Sequence, residues 1–466
     1  MKKNKNFWFN LVLFGLMGQI AWNVENMYFN TFLYNSIYSN GATQAAINGT
    51  MPVMDAISMM VGLSAATAVI TTFIMGTLSD KMRKRKIFIS AGYIAWGIVT
   101  ALFGFISRDN IAAVFHLSDE IRILSATVWT VIIMDSVMTF MGSTSNDSAF
   151  NAWITDVTVP ANRPKVETVL AAMPILAMGL VVGVGTLAQT GVISYSVFFL
   201  ALGAIVILCG VIGLFTLKDP ETSAPKANSN YWSDLFYGFR PSVVKNNSRL
   251  YLAFVSICFF MIAVQVFFPY ILIYLQYVIF PASSQINLGS PAFIISAIAA
   301  VAAMAVGIIT LIKLGEKKSK AYALAPAGVL FIVGLLLMSF SHNILTFVLS
   351  AAPTVIGYAV LMIMLGAAVR DFTPEGKAGQ FQGIRMIFNV LIPMILGPAI
   401  GSFASKNSGI TYIDEYNVSQ IAPTSNMFLY ASLVAVLVCV PLILLIKKGF
   451  EVKAQSGENA ELEEAE

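Results

Sequence analysis

Twelve apolar runs, each long enough to cross a bilayer as a helix, constrain this chain more than any other feature. They occupy residues 7–36, 50–76, 87–106, 121–154, 167–190, 195–217, 249–279, 291–313, 320–340, 344–369, 379–403 and 425–446. A hydrocarbon core takes about 20 apolar residues per helix and leaves no water to satisfy a free backbone group. Only 11% of the 466 residues are charged, against about 25% in soluble domains, so the runs are read as spans rather than core helices. The opening MKKNKNFWFN runs into an apolar stretch too long for a signal peptide and is read as the start of the first span.

An even number of spans puts both termini on one side, and charge says which. Of the 28 Lys and Arg residues, all but Arg108, Arg122, Arg385 and Lys406 fall in or beside the N-terminal segment, the even-numbered joints and the tail. The positive-inside rule makes that side cytoplasmic. The same distribution accounts for the net charge of +4, which is no sign of a nucleic-acid partner. Cys209, Cys258 and Cys439 lie within spans, and His116 and His342 in or beside outer joints, so neither a disulfide framework nor a metal site is suggested, and no cofactor is expected.

The joint 218–248 is the longest and divides the spans six and six. The halves echo each other: DVTVPANRPKVETVL (156–170) resembles DFTPEGKAGQFQGIR (371–385), and RKRKIFISAGYIAWG (83–97) resembles KKSKAYALAPAGVLF (317–331). A duplicated six-span unit is a carrier architecture, with its site at the midplane between the repeats. The expected organisation is an N-terminal six-helix bundle (1–217), a cytoplasmic linker (218–248) with a short amphipathic piece around 231–239, a C-terminal six-helix bundle (249–446) and a disordered acidic tail (447–466).

Several spans carry polar residues that lipid would penalise. Wound as a helix, Asp135, Thr139, Gly142, Asn146 and Trp153 share one face, with Asp147 and Asn151 one position round. A carboxylate near the centre of a span costs about 2.5–3.5 kcal/mol on insertion scales, so it faces protein or a wet cavity. In the first span Gln19, Trp22, Asn23, Asn26 and Asn30 form a second stripe, with Glu25 just off it. In the eleventh, Gln382, Arg385 and Asn389 form a third. Amides donate and accept, as a many-hydroxyl ligand requires, and an indole offers a face for stacking. Each stripe also has a plainer reading, as polar glue between helices. Asp147, then Glu25 and Asp135, are the candidates for a cation-coupling carboxylate, and Arg385 is matched in depth to Asp147. Asp55 is read as a helix-end or loop-facing residue, and Phe268-Pro269-Tyr270 as a break in span seven.

GTLSDKMRKRK, residues 76–86, resembles the loop signature of the major facilitator superfamily, with Gly76, Asp80, Lys81, Arg85 and Lys86 in place and Arg83 where the family has glycine. The resemblance implies the major facilitator fold and a conformational latch at those five residues. Within that superfamily ENMYFNTFLYN, SNDSAFNAWITDVT and PEGKAGQFQGIRMIFNVLIP resemble the glycoside–pentoside–hexuronide cation symporters, closest to the sucrose–proton symporter-like branch. That implies a plasma-membrane importer of a mono-, di- or oligosaccharide, coupled to H+ or Na+, acting as a monomer. Two features depart from the pattern. AVITTFIMG (68–76) lacks the helix-two aspartate pair of melibiose-type members, and Asn151 stands where plant sucrose carriers have an arginine. The competing readings are a carrier of a lipid-like or amphipathic substrate, or a non-transporting membrane sensor. The chain shows no nucleophile–base pattern that would make it an enzyme.

Overall fold

The computed structural model describes residues 5–39, 41–82, 84–158, 163–189, 191–219, 239–282, 291–374, 381, 384–407, 411–413 and 419–449. Every expected span is a helix: α1 (5–39), α2 (Val53–Met82), α3 (Arg85–Phe105), α4 (120–157), α5 (Arg163–Gln189), α6 (Tyr195–Thr216), α7 (248–282), α8 (Pro291–Lys317), α9 (Lys320–Ser339), α10 (Ile344–Phe372), α11 (Ile384–Lys406) and α12 (Asn426–Lys448). Ten of them are long and apolar enough to cross a membrane, while α5 and α8 carry the shorter apolar stretches Leu176–Ala188 and Val301–Gly315. A two-stranded antiparallel hairpin, β1 (Thr411–Ile413) and β2 (Ser419–Ile421), joins α11 to α12 with Tyr412 opposite Gln420. The expected amphipathic piece at 231–239 and the acidic tail fall almost wholly outside the described residues.

Local chemistry explains the helix ends. Ser107, Asp119, Ser194 and Ser319 each accept a backbone N–H at a helix start, and Asn343 forms a capping box with Thr346 at the head of α10. Backbone contacts fall into two compact units. The first holds Met1–Tyr231, Val264–Pro281 and Val390–Tyr430, which is α1 to α6 with the second parts of α7 and α11, the hairpin and the start of α12. Within it α3 and α6 cross closely. A Cβ on Gly97 would lie 2.6 Å from the Gly203 carbonyl oxygen, so the two backbones touch where any side chain would part them.

The second unit holds Trp232–Ala263, Ala282–Asn389 and Ala431–Glu466. Phe260 packs edge-on to Phe331, Phe254 stacks on Phe388, and Lys448 Nζ donates to Ser248 Oγ at 2.8 Å, tying the end of α12 to the start of α7. Lys320 pairs with Asp371, joining the head of α9 to the end of α10. The two sequence echoes match these positions to Lys86 and Asp156; the Asp156 side chain lies outside the described residues.

Candidate functional site

Among the described residues four helices contain π turns, and those of α1, α4 and α11 overlap the polar stripes. Residues Val24–Phe29 and Leu33–Ser39 of α1, Ser143–Phe150 of α4, Leu275–Ile279 of α7 and Ile387–Leu391 of α11 are π-helical. A π turn is rare and is found frequently at functional sites. In α1 the amides bond back to their own helix. Asn23, Asn26 and Asn30 each donate Nδ2 to the carbonyl four residues back, at 2.8, 2.8 and 2.7 Å. Glu25 lies within the turn Val24–Phe29 and is buried, while Gln19, Trp22, Asn23 and Asn26 are half-buried.

Buried Glu25 meets α2 and α4. Its Oε1 accepts from Ser64 Oγ and from Thr139 Oγ1, both at 2.8 Å, and those two hydroxyl oxygens are 2.5 Å apart. Thr139 also reaches its own helix at the Asp135 carbonyl, 2.9 Å away. Asp135 is buried beside this group, within the field of Glu25 and of the Ser64 hydroxyl. Glu25 Oε2 and Asp135 Oδ1 are buried with no hydrogen-bond partner among the described residues. No Lys, Arg or His occurs anywhere in residues 6–80 or 123–162, so α1, α2 and α4 bring no fixed cation to the pair from their membrane-embedded lengths.

Asp147 is placed differently. It is half-buried, its Oδ2 accepts from Ser143 Oγ at 3.0 Å, and Asn146 and Trp22 are further hydrogen-bonding partners. Tyr93 lies behind it, its hydroxyl 2.7 Å from the Phe14 carbonyl oxygen and 3.1 Å from Asn146 Oδ1. Trp22 meets Trp96 edge-on, with ring centroids 5.9 Å apart. Gly18 makes this crossing possible, because a Cβ there would sit 2.5 Å from Asn146 Oδ1. Glu25, Asp135, Asp147, Asn146 and Trp22 are thus brought together, on helices of one unit.

Other candidates are placed elsewhere. Trp153 stacks on Phe150 and Phe7 and donates Nε1–H to the Lys218 carbonyl at 3.1 Å, which makes it packing at the end of α4 rather than a ring free for a ligand. Asn151 is exposed, with Nδ2 bound to the Asp147 carbonyl. Arg385 is exposed and Asn389 half-buried on α11, both in the second unit, and Gln382 lies outside the described residues. In the loop motif a Cβ on Gly76 would meet nothing within 4 Å. Arg85 is buried with Nη1 2.5 Å from Ser79 Oγ, and the Lys86 N–H donates to Asp219 Oδ1 at 2.7 Å. The side chains of Asp80 and Lys81 lie outside the described residues.

Two features were missed in the sequence. Ser64 is one, a small hydroxyl in an alanine-rich stretch with nothing to mark it. The other is at the Asp55 end of the first unit. Asp55, read as a helix-end residue, takes Lys406 Nζ at 2.6 and 2.8 Å and Ser402 Oγ at 2.5 Å, joining α2 to α11. Tyr270, in the 3-10 turn that breaks α7, sets its hydroxyl 3.1 Å from the Met54 carbonyl and 2.8 Å from the Pro398 carbonyl. Nearby, Tyr277 donates to Asn35 Oδ1, Asn35 donates to Gln276, and Tyr34 donates to the Ile421 carbonyl of the hairpin. Among the described residues no group of three or more His, Cys, Asp or Glu could hold a metal ion.

Comparison with known proteins follows the same lines. The family model of the Major Facilitator Superfamily matches residues 26–326 and 274–465. The structure is similar to that of the nucleoside transporter NupG (D323A mutant), with a TM-score of 0.62 at 12% identity over 94% of this chain and 99% of that one. It is also similar to a bacterial homolog of the human lysosomal transporter Spinster in an inward-facing, occupied conformation, with a TM-score of 0.61 at 14% identity over 96% and 98% of the two chains. No curated protein sequence matches. At such identities the structural likeness establishes the fold, and the family match carries the rest: the chain belongs to the Major Facilitator Superfamily and is a multi-pass membrane transporter of that fold.

Proposed function

We propose that this transporter imports a sugar or glycoside by H+ symport, as a monomer in the plasma membrane with both termini cytoplasmic. Two six-helix halves, 1–217 and 249–446, alternate access to a midplane site, and the branch it resembles is the sucrose–proton symporter-like one. One observation supports this above the others: a half-buried face of amides and an indole (Gln19, Trp22, Asn23, Asn26) beside Asp147, with a buried carboxyl pair, Glu25 and Asp135, behind it. Each asparagine nitrogen gives one of its two N–H groups to its own helix, which leaves one N–H and the amide oxygen for a ligand whose hydroxyls both donate and accept. Asn146, and further along the chain Gln382, Arg385 and Asn389, are the remaining candidates for binding the sugar. Positive charge moving inward with the sugar gains about 2.3 kcal/mol per 100 mV.

Uptake into proteoliposomes tests this reading. A panel of radiolabelled mono- and disaccharides is offered under an imposed proton or sodium gradient, with a nucleoside and a lysophospholipid as competing substrates. Concentrative uptake of a sugar under the proton gradient is expected. Uptake of the nucleoside or the lipid alone would replace the reading.

A further inference from the structure

Strand β2 lies in the joint between α11 and α12, yet it hydrogen-bonds to the start of the chain. Tyr34 Oη donates to the Ile421 carbonyl at 2.7 Å, Gln420 Nε2 to the Tyr38 carbonyl at 3.2 Å, and the Ser419 N–H to Gln44 Oε1 at 2.9 Å. These partners are 387, 382 and 375 residues apart, and all belong to the first compact unit.

The receiving surface is the π turn Leu33–Ser39 that ends α1, with Gln44 just beyond it. A helix leaves its last four carbonyls without a partner of its own. Tyr38 carries one of these, and the Gln420 amide caps it from outside the helix. Gln420 is 2% exposed, so the cap is withdrawn from water. Tyr34 and Tyr38 are buried as well, and the Tyr38 hydroxyl donates to the Met51 carbonyl, at the approach to α2, at 2.7 Å. Asn35, between them, accepts from Tyr277 at 2.8 Å and donates to Gln276 at 3.1 Å, both in the π turn of α7. One turn of α1 thus gathers β2, the approach to α2 and the π turn of α7. Just past Met51, Asp55 ties α2 to α11 through Lys406 and Ser402.

All three bonds of β2 join uncharged groups. Such a bond is worth about 0.5–1.5 kcal/mol net, because water makes an equivalent one. The grip is specific in geometry and readily exchanged for water. Left dry, the freed Tyr38 carbonyl and Gln420 amide would be orphaned polar groups, so the seam opens only where water enters as it parts.

We infer that β2 is a strap: docked on the last turn of α1, it closes the carrier at the end that the basic joints avoid, and it releases α1 to admit substrate there. The inference rests on the alternating-access reading above, whose orientation makes this end the outer one. In that reading 1–217 and 249–446 part at one end at a time. Strand β2 and α1 come from different halves, so their bonds break and re-form once per cycle.

Spin labels on Ala45→Cys and Ser419→Cys report docking without any substrate. Both positions are exposed, and Ser419 grips through its backbone N–H, so all three bonds survive labelling. The full chain is measured in nanodiscs with Cys209, Cys258 and Cys439 replaced by alanine. Two distances are expected, a short docked one and a longer one. Tyr34→Phe with Gln420→Leu removes two donors and is expected to raise the undocked-to-docked ratio about fivefold or more. Tyr34→Phe alone, which keeps the ring packed, is expected to raise it by less. One short distance, the same in all three proteins, would overturn the strap. In proteoliposomes a reducible thiol cross-linker between the two cysteines is expected to abolish uptake of the sugar that the panel identifies, and reduction to restore it. Full uptake by the cross-linked chain would make β2 a fixed brace and equally overturn the inference. If the wild type takes up no sugar while the two distances respond as expected, the sugar reading fails and the strap stands.

Discussion

Lys406 grips both carboxylate oxygens of Asp55, 351 residues away in the chain, and Ser402 one turn earlier supplies a third hydrogen bond. Both charged side chains are 35% exposed, so the pair alone is worth no more than about 1 kcal/mol. It works with its neighbours, and it pins the first turn of α2 to the last turns of α11. Lys406→Met is expected to speed hydrogen exchange of the backbone amides at 400–407 about three- to fivefold, as is Asp55→Asn. The swap Asp55→Lys with Lys406→Asp is expected to restore most of the protection. Unchanged exchange in both single variants would mean that the ion pair carries no load.

Tyr270 and Gly401 should rank in a fixed order. Tyr270→Phe removes one hydroxyl that two carbonyls share and is expected to cost about 0.5–1.5 kcal/mol, a shift of a few degrees in Tm. Gly401→Ala would place a Cβ 2.0 Å from the Val266 carbonyl oxygen, and a backbone atom cannot rotate away. Overpacking costs about 1–3 kcal/mol or more. Thermal unfolding followed by fluorescence size-exclusion should find Gly401→Ala the less stable of the two.

The two indoles separate a ligand surface from a packing surface. Trp153→Phe keeps a ring against Phe7 and Phe150 and loses the bond to the Lys218 carbonyl, so it is expected to lower Tm while leaving KM for the transported sugar within about twofold. Trp22→Ala is expected to raise KM about tenfold or more, in line with about 1.4 kcal/mol or more of lost stacking and hydrogen bonding. Equal effects on KM would return Trp153 to the site.

Asp147 and Glu25 should also part company. With Asp147 on the substrate face, Asp147→Asn is expected to weaken sugar binding about tenfold, yet still to concentrate sugar when it is supplied in excess of KM. Uptake ratios measured at saturating sugar decide this. An Asp147→Asn carrier that only equilibrates would make Asp147 the coupling group.

The sequence located the spans to within a few residues because bilayer thickness imposes one length on every helix, whatever its neighbours. It found Glu25, Asp135 and Asp147 for a similar reason, since carboxylates are rare at that depth. It put Asp147 ahead of Glu25 and Asp135 without sight of how each one is packed. Glu25 sits beside the amide stripe, but its partners Ser64 and Thr139 come from α2 and α4, which a stripe on one helix does not show. Trp153 shared a face with Asp135 on paper, but that face is buried from Asp135 to Trp153, and its far end packs on Phe7. Ser64, like the pairing of Asp55 with Lys406, is decided by which helices cross, and no local pattern encodes that.

Sugar-induced proton movement tests the central claim most directly. Lightly buffered proteoliposomes containing the wild-type chain are pulsed with the sugar that the uptake panel identifies, in sodium-free medium, while external pH is recorded. External alkalinisation with each pulse is predicted, absent in Glu25→Gln and unaffected by added Na+. Sugar entry with no pH change, or entry that requires Na+, would contradict the account.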